Sequence, residues 1–260
     1  MKNILDNNEE IVRSFRNANS RIFFIDYDGT LARLQNSPSS ASPTQEMKEI
    51  LINLGSDSRN RVVVLSGREK ETLQSWLGNL PVTLAAEHGG FCKEQFDDWY
   101  DFFQLPTNWI PHLFSCLRAL TFDFSGSFIE QKSYSLVWHY RSIAHTLTRD
   151  AVRQVRDALL SVRENHEFEL YQEDCALEIR TAGVDKGRFA KKYMQHKEYD
   201  FILAMGDGKT DEDLFKAVEK DGYTIKVGEC SDSSAKYFID KQDNVLAMLG
   251  QLANASLRLS

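Results

Sequence analysis

Apolar positions along the chain fall into short solid blocks and spaced stripes. The blocks at 21–25, 61–65, 201–205 and 223–227 read as strands buried on both faces, as in a parallel sheet. Between the first two, Met47, Ile50, Leu51 and Leu54 form a helical stripe. It starts at Ser42-Pro43-Thr44-Gln45, with Ser42 as N-cap, Pro43 at the first helical position and Gln45 closing a capping box; Gly55 marks the stop. Residues 35–42, rich in Ser and Pro, read as a loop. After the second block, Ser66-Gly67-Arg68 leads into another helix through Leu77. Strand, helix, strand, helix predicts a right-handed parallel βαβ unit.

From about Thr107 the pattern changes. A helix (Leu113, Phe114, Leu117, Leu120) precedes strands at 127–132 and 135–141. A second helix (Val152, Val155, Leu159, Val162) precedes strands at 167–171 and 176–180. The partly alternating run 135–141 suits a sheet covered on one face. The expected fold is therefore α/β: a parallel Rossmann-like core sheet flanked by helices, with an inserted α+β domain of two helices on a four-stranded sheet. The expected boundaries are 1–106 and 183–260 for the core and 107–182 for the insertion.

Composition narrows the function. The 260 residues hold 27% charged and 42% hydrophobic positions, an ordinary globular balance. A net charge of −7 argues against nucleic-acid binding, which needs clustered Lys and Arg. A small phosphorylated substrate remains compatible, because a metal and a local basic group can capture it. Cys92, Cys116, Cys175 and Cys230 show no metal-ligand spacing and read as buried free thiols of a reducing cytoplasm. Residues 1–20 are polar, without a signal-peptide core, and no run is long enough for a membrane span, so a soluble, cytoplasmic protein is expected.

The chemistry collects at the expected strand ends. The first block empties into Asp26-Tyr27-Asp28-Gly29-Thr30, two carboxylates that can divide the roles of nucleophile or metal ligand and proton donor. Alone, that pair also fits an acidic turn. Ser66 and the Gly67 amide, at the end of the second block, could bind a phosphoryl oxygen, although Ser-Gly there is also an ordinary turn. Lys186, opening the helix after the insertion, could neutralise charge between carboxylate and phosphate, or be a solvated surface lysine. Asp207 and Asp211 follow the third block and suit a hard divalent cation such as Mg²⁺, while Glu212 and Asp213 fit an acidic helix start.

In this order, Asp26-x-Asp28, Ser66, Lys186 and Gly206-Asp207-x-x-x-Asp211 resemble the four motifs of the haloacid-dehalogenase-like phosphatases, over residues 20–245. The resemblance implies Asp26 as nucleophile and Asp28 as acid/base. It implies phosphate held by Thr30, Ser66, Gly67 and Lys186, and Mg²⁺ held by Asp26, the Asp28 carbonyl, Asp207 and Asp211. It also implies that the insertion is a cap that closes to exclude water. Narrower features are similar to trehalose-6-phosphate phosphatases: Ser66-Gly67-Arg68, Glu87-His88-Gly89-Gly90, the segment from Lys132 to Arg141, Leu177-Glu178-Ile179-Arg180 and Asp185-Lys186-Gly187. These make Arg68, Glu87, His88, Lys132, Arg141 and Glu178 the implied sugar contacts and association with a trehalose-6-phosphate synthase an implied partnership. Gly208 departs from the family's Gly-Asp-Asp-x-Thr-Asp-Glu, which bears on metal affinity. Besides trehalose 6-phosphate, the motifs leave open sucrose phosphate, a glycosyl-glycerate phosphate, or a catalytically dead regulatory domain.

Overall fold

The structure is a computed structural model describing residues 1–35, 40–162, 167–173, 175–229 and 232–257. The chain divides into two compact units, Met1–Phe102 with Asp185–Ser260, and Phe103–Val184.

The first unit is built on a nine-stranded sheet. In chain order its elements begin with β1 (Lys2–Asn3), α1 (Asn8–Asn17), β2 (Arg21–Ile25), α2 (Gln45–Gly55), β3 (Asn60–Leu65) and α3 (Lys70–Leu77). Three short strands follow, β4 (Thr83–Ala86), β5 (Phe91–Lys93) and β6 (Trp99–Asp101). The second unit contributes α4 (Ile110–Leu120), β7 (Phe128–Gln131), β8 (Ser135–His139), α5 (Arg149–Ser161), β9 (Phe168–Glu173) and β10 (Ala176–Thr181). The first unit then resumes with α6 (Lys186–Met194), β11 (Phe201–Gly206), α7 (Asp211–Val218), β12 (Tyr223–Val227), β13 (Tyr237–Ile239) and α8 (Gln242–Leu257).

The large sheet runs β1-β13-β12-β11-β2-β3-β4-β5-β6. It is parallel from β1 through β4, and β5 and β6 add as an antiparallel edge. Every residue of β2, β4 and β11 is buried, as expected for strands covered on both faces. Helix α8 packs on α2 and α1, and α6 on α7. Strand β2 lies between β3 and β11, parallel to both, where the strand order changes direction, so the loops after these three strands open on one rim.

Helix α2 starts two residues later than its sequence predicts. Thr44, in extended conformation, is the N-cap and its hydroxyl accepts from Met47 N at 3.2 Å, so Ser42 and Pro43 lie ahead of the helix. The expected strand 135–141 ends at His139, because Arg141–Ile143 turn into a short 3-10 helix. The expected loop at 35–42 lies partly, and Cys230 wholly, outside the described residues. Cys92 is a buried free thiol, whereas Cys116 and Cys175 are only half-buried.

In the second unit β7-β8-β10-β9 form an antiparallel sheet. Leu136, Trp138, Leu177 and Ile179 pack with Ile110, Leu113 and Leu117 of α4 and with Val155 and Leu159 of α5. The expectation of a sheet covered on one face does not hold for these two strands: Ser135, Val137, Glu178 and Arg180, on the face opposite Leu136 and Trp138, are buried as well. Among the described residues, no helix is long and apolar enough to cross a membrane.

Candidate active site

The loops after β2, β3 and β11 and the start of α6 build the site in the first unit. Asp26 directly follows β2, and its backbone N donates to the Met205 carbonyl of β11 at 3.0 Å. Asp185 caps α6 by accepting from Arg188 N at 2.8 Å, which sets Lys186 at the first helical position. Lys186 Nζ donates to Asp26 Oδ1 at 2.6 Å and to Asp211 Oδ1 at 2.7 Å, with all three residues buried. Lys186 is thus a buried bridging cation rather than a solvated one.

Three carboxylates gather around it. Asp26, Asp207 and Asp211 each offer an oxygen, all within 4.8 Å of one another. Two glycines make that crowding possible. Gly29 has φ +78°, and a Cβ there would lie 2.1 Å from Asp207 Oδ2; a Cβ on Gly206 would lie 2.1 Å from Asp211 Cγ. Asp211 is held on both oxygens, since Oδ2 accepts from Gly208 N at 2.9 Å. Thr30 Oγ1 donates to Asp26 Oδ2 at 3.3 Å, so this hydroxyl supports the carboxylate. Lys226 Nζ donates to the Asp207 carbonyl.

The electrostatics follow from burial. Desolvation pushes the Asp26 carboxyl well above the usual range, against the pull of Lys186, and Asp211 and Asp207 push the same way. Burial, then Asp211, raises Asp207 to about 6. Burial opposes the Lys186 charge, yet Asp211 and Asp26 outweigh it and hold the ammonium above the ordinary lysine range. Three acids facing one ammonium, all with hard oxygen donors, fit a divalent cation. The Asp28 carboxylate is not in this group.

Asp28 instead pairs with Arg68. Arg68 Nε donates to Asp28 Oδ2 at 2.7 Å and Nη2 to Oδ1 at 2.6 Å. Ser66, buried at the end of β3, accepts from Arg68 N at 3.2 Å through its hydroxyl. Beside this loop, Glu87 and His88 are buried in a short 3-10 turn with φ +48° and +58°, unusual for residues with side chains. The turn is tied to the loop by Glu87 N donating to Arg68 O at 2.9 Å and His88 N to Ser66 O at 2.8 Å. The His88 ring lies against Gly67, where a Cβ would come within 2.7 Å. Gly208 has no such neighbour: a Cβ there meets its nearest atom, Asp211 Oδ2, at 3.5 Å.

Thus Asp26, Lys186, Asp207, Asp211 and Thr30 converge, while Ser66, Gly67, Arg68, Glu87, His88 and Asp28 form an adjoining loop cluster. Lys132, Arg141 and Glu178 belong to the second unit. There Glu130, Val137 and Glu178 stand in line across β7, β8 and β10, on the sheet face opposite Leu136 and Trp138. Glu178 Oε2 accepts from Arg180 Nη2 at 2.5 Å, and Lys132 Nζ lies 3.8 Å from Glu130. Glu130 and His139, joined at 2.7 Å, were not singled out by sequence. Burial opposes the Glu130 charge, but the His139 bond and Lys132 hold its carboxyl below the usual value. Strand alternation places both on one face, and that signal could have found them. Arg141 is exposed in the 3-10 turn after β8.

Comparison with known proteins gives this geometry its context. Residues 24–243 match the family described as trehalose-phosphatase. The chain is 33% identical over 252 residues to alpha,alpha-trehalose-phosphate synthase [UDP-forming] B of Dictyostelium discoideum, covering 95% of this chain and 32% of that protein. It is 32% identical over 244 residues to the bifunctional trehalose-6-phosphate synthase/phosphatase of Thermoproteus tenax, covering 94% and 33%. The chain thus spans about a third of the length of these curated relatives. Among solved structures it is similar to the C. albicans trehalose-6-phosphate phosphatase C-terminal domain, with a TM-score of 0.89, 27% identity, and coverage of 95% of this chain and 97% of that one. With a family match over most of its length, this chain belongs to the trehalose-phosphatase family.

Proposed function

We propose that this chain hydrolyses trehalose 6-phosphate to trehalose and phosphate through an aspartyl-phosphate on Asp26. The observation that carries the reading is the buried Asp26 carboxylate at the end of β2, bridged through Lys186 to Asp211, in a chain of this family. An Asp26 oxygen bonds to phosphorus as the bond from phosphorus to the sugar oxygen breaks. That electron pair stays on the sugar oxygen, which takes a proton from Asp28. Water then attacks the same phosphorus, gives its proton to Asp28, and phosphate leaves as its bond to Asp26 breaks. Lys186, the Ser66 hydroxyl and the Gly67 amide bind phosphoryl oxygens, where fixed donors meet developing charge.

The donor set fits Mg²⁺ held by Asp26 and Asp207, with the Asp28 carbonyl and with Asp211 directly or through water. When bound, it would neutralise charge on the phosphoryl oxygens. The second unit, as a cap domain, would select the sugar through polar groups such as Lys132, Arg141 and Glu178. The bifunctional relative supports action beside a trehalose-6-phosphate synthase. Cys92, a buried free thiol, supports a reducing, cytoplasmic setting.

Phosphate release from a panel of sugar phosphates, with and without Mg²⁺, tests the proposal. The expected result is Mg²⁺-dependent release, fastest from trehalose 6-phosphate. A preference for sucrose phosphate or a glycosyl-glycerate phosphate would reassign the substrate. No release from any member would turn the reading toward a regulatory domain.

A further inference from the structure

The loops after β2 and β3 bring a further cation, Arg68, beside the site. Arg68 grips Asp28 side-on, through Nε to Oδ2 at 2.7 Å and Nη2 to Oδ1 at 2.6 Å. Two parallel charge-assisted bonds fix the plane of a carboxylate as well as its place. The guanidinium is itself anchored: its carbon lies 4.6 Å from the Trp76 ring centroid and 5.7 Å from that of Tyr27. The Arg68 main chain is held as well, its N on Ser66 Oγ and its O on Glu87 N. Asp28 is less constrained, with a third of its side chain exposed and no place in the cluster around Lys186. A partly exposed aspartate on a loop would otherwise sample several rotamers.

We propose that Arg68 is a positioning residue for Asp28, setting the carboxylate for proton transfer with the leaving-group oxygen. The proposal rests on the reading of Asp28 as the acid. Arg68 then acts on the leaving group through Asp28, and the sugar is not what it holds. As the bond from phosphorus breaks, its electron pair moves to the leaving oxygen, which takes the Asp28 proton, and the carboxylate left behind is the form that accepts both Arg68 bonds. A misplaced acid leaves negative charge on that oxygen, so the rate depends more steeply on how good the leaving group is.

The test is kcat/KM for ethyl phosphate, substituted phenyl phosphates and trehalose 6-phosphate, in wild type, Asp28→Asn, Arg68→Lys and Arg68→Gln. For Arg68→Gln, ethyl phosphate hydrolysis should fall about a hundredfold, the lower range of a general acid's contribution, and p-nitrophenyl phosphate hydrolysis by a few-fold at most. The rate should become steeper in leaving-group pKa, with Arg68→Lys intermediate, since an ammonium cannot form the fork. Placed in the Asp28→Asn background, Arg68→Gln should add no further steepening. The ratio of trehalose 6-phosphate to ethyl phosphate should stay that of wild type. An unchanged slope in folded Arg68→Gln overturns the proposal, and a drop in that ratio without a slope change makes Arg68 a sugar contact instead. If Asp28→Asn itself leaves the slope unchanged, the acid assignment fails and this proposal with it. Should Arg68→Gln not fold, Trp76→Leu, which removes the stacking platform, should steepen the slope in the same direction, and an unchanged slope there overturns the proposal equally.

Discussion

At Gly29 the demand on the residue is steric as well as conformational. A methyl group there would stand 2.1 Å from the Asp207 carboxylate, and φ of +78° disfavours any side chain. Gly29→Ala should therefore cost roughly 2 kcal/mol of stability, the upper end of the left-handed penalty, and should displace Asp207. Thermal melts and Mg²⁺ activation curves check this: a lower midpoint and a raised Mg²⁺ requirement are expected, and wild-type values in both would refute it. At this scale the sequence was most legible where a residue directly ends a strand. Asp26 and Ser66 could be placed from the apolar run before them, and Lys186 from its helix start. The Arg68–Asp28 fork could not, because it depends on two rotamers meeting across neighbouring loops. Nor could the double hold on Asp211, which forms only when α6 and α7 pack.

Among elements, the end of the sheet away from the carboxylates carries its own ionic cluster. Arg21, at the start of β2, is fully buried beneath the α2–β3 turn, with Nη1 3.3 Å from Asp57 Oδ2 and its guanidinium 4.0 Å from the Phe15 centroid. Burial opposes the Asp57 charge, but hydrogen bonds from Arg59 and Ser256 outweigh it and hold the carboxyl at about 2. A carboxyl lowered on folding stabilises fully above its unfolded pKa and loses that contribution as pH falls through its folded one. Asp57→Asn should cost about 3 kcal/mol at pH 7, the order for stranding a buried charge. The gap from wild type should shrink between about pH 4 and pH 2. Urea melts across that range check both, and a pH-independent gap would rule out the ionic role. The apolar runs 22–25, 62–65 and 201–205 of β2, β3 and β11 were readable because burial on both faces leaves no polar interruption in them. The short strands β5 and β6 were not, at three residues each, too short for any periodicity. The α2 cap shifted from Ser42 to Thr44 because two hydroxyl residues on either side of Pro43 can both take the role and only backbone geometry decides.

For the molecule as a whole, a chain of net charge −7 is proposed to bind a phosphate ester. Its overall field does not attract that ligand, so in the proposal capture would fall to local groups: the Lys186 ammonium, a divalent cation that the Asp26, Asp207 and Asp211 oxygens could hold, and the Ser66 loop. The family match over 24–243 accords with motifs that run through nearly the whole sequence. Less legible was the polar face of the second unit's sheet, where the Glu130–His139 pair appears only once the strands are paired. The central claim is covalent catalysis by Asp26, and the most direct measurement is a rapid acid quench during turnover of phosphorus-labelled trehalose 6-phosphate with Mg²⁺. The account predicts hydroxylamine-labile label on the peptide carrying Asp26 in wild type, with neither label nor turnover in folded Asp26→Asn. Hydrolysis at the wild-type rate by folded Asp26→Asn, with no label on that peptide in either protein, would contradict it.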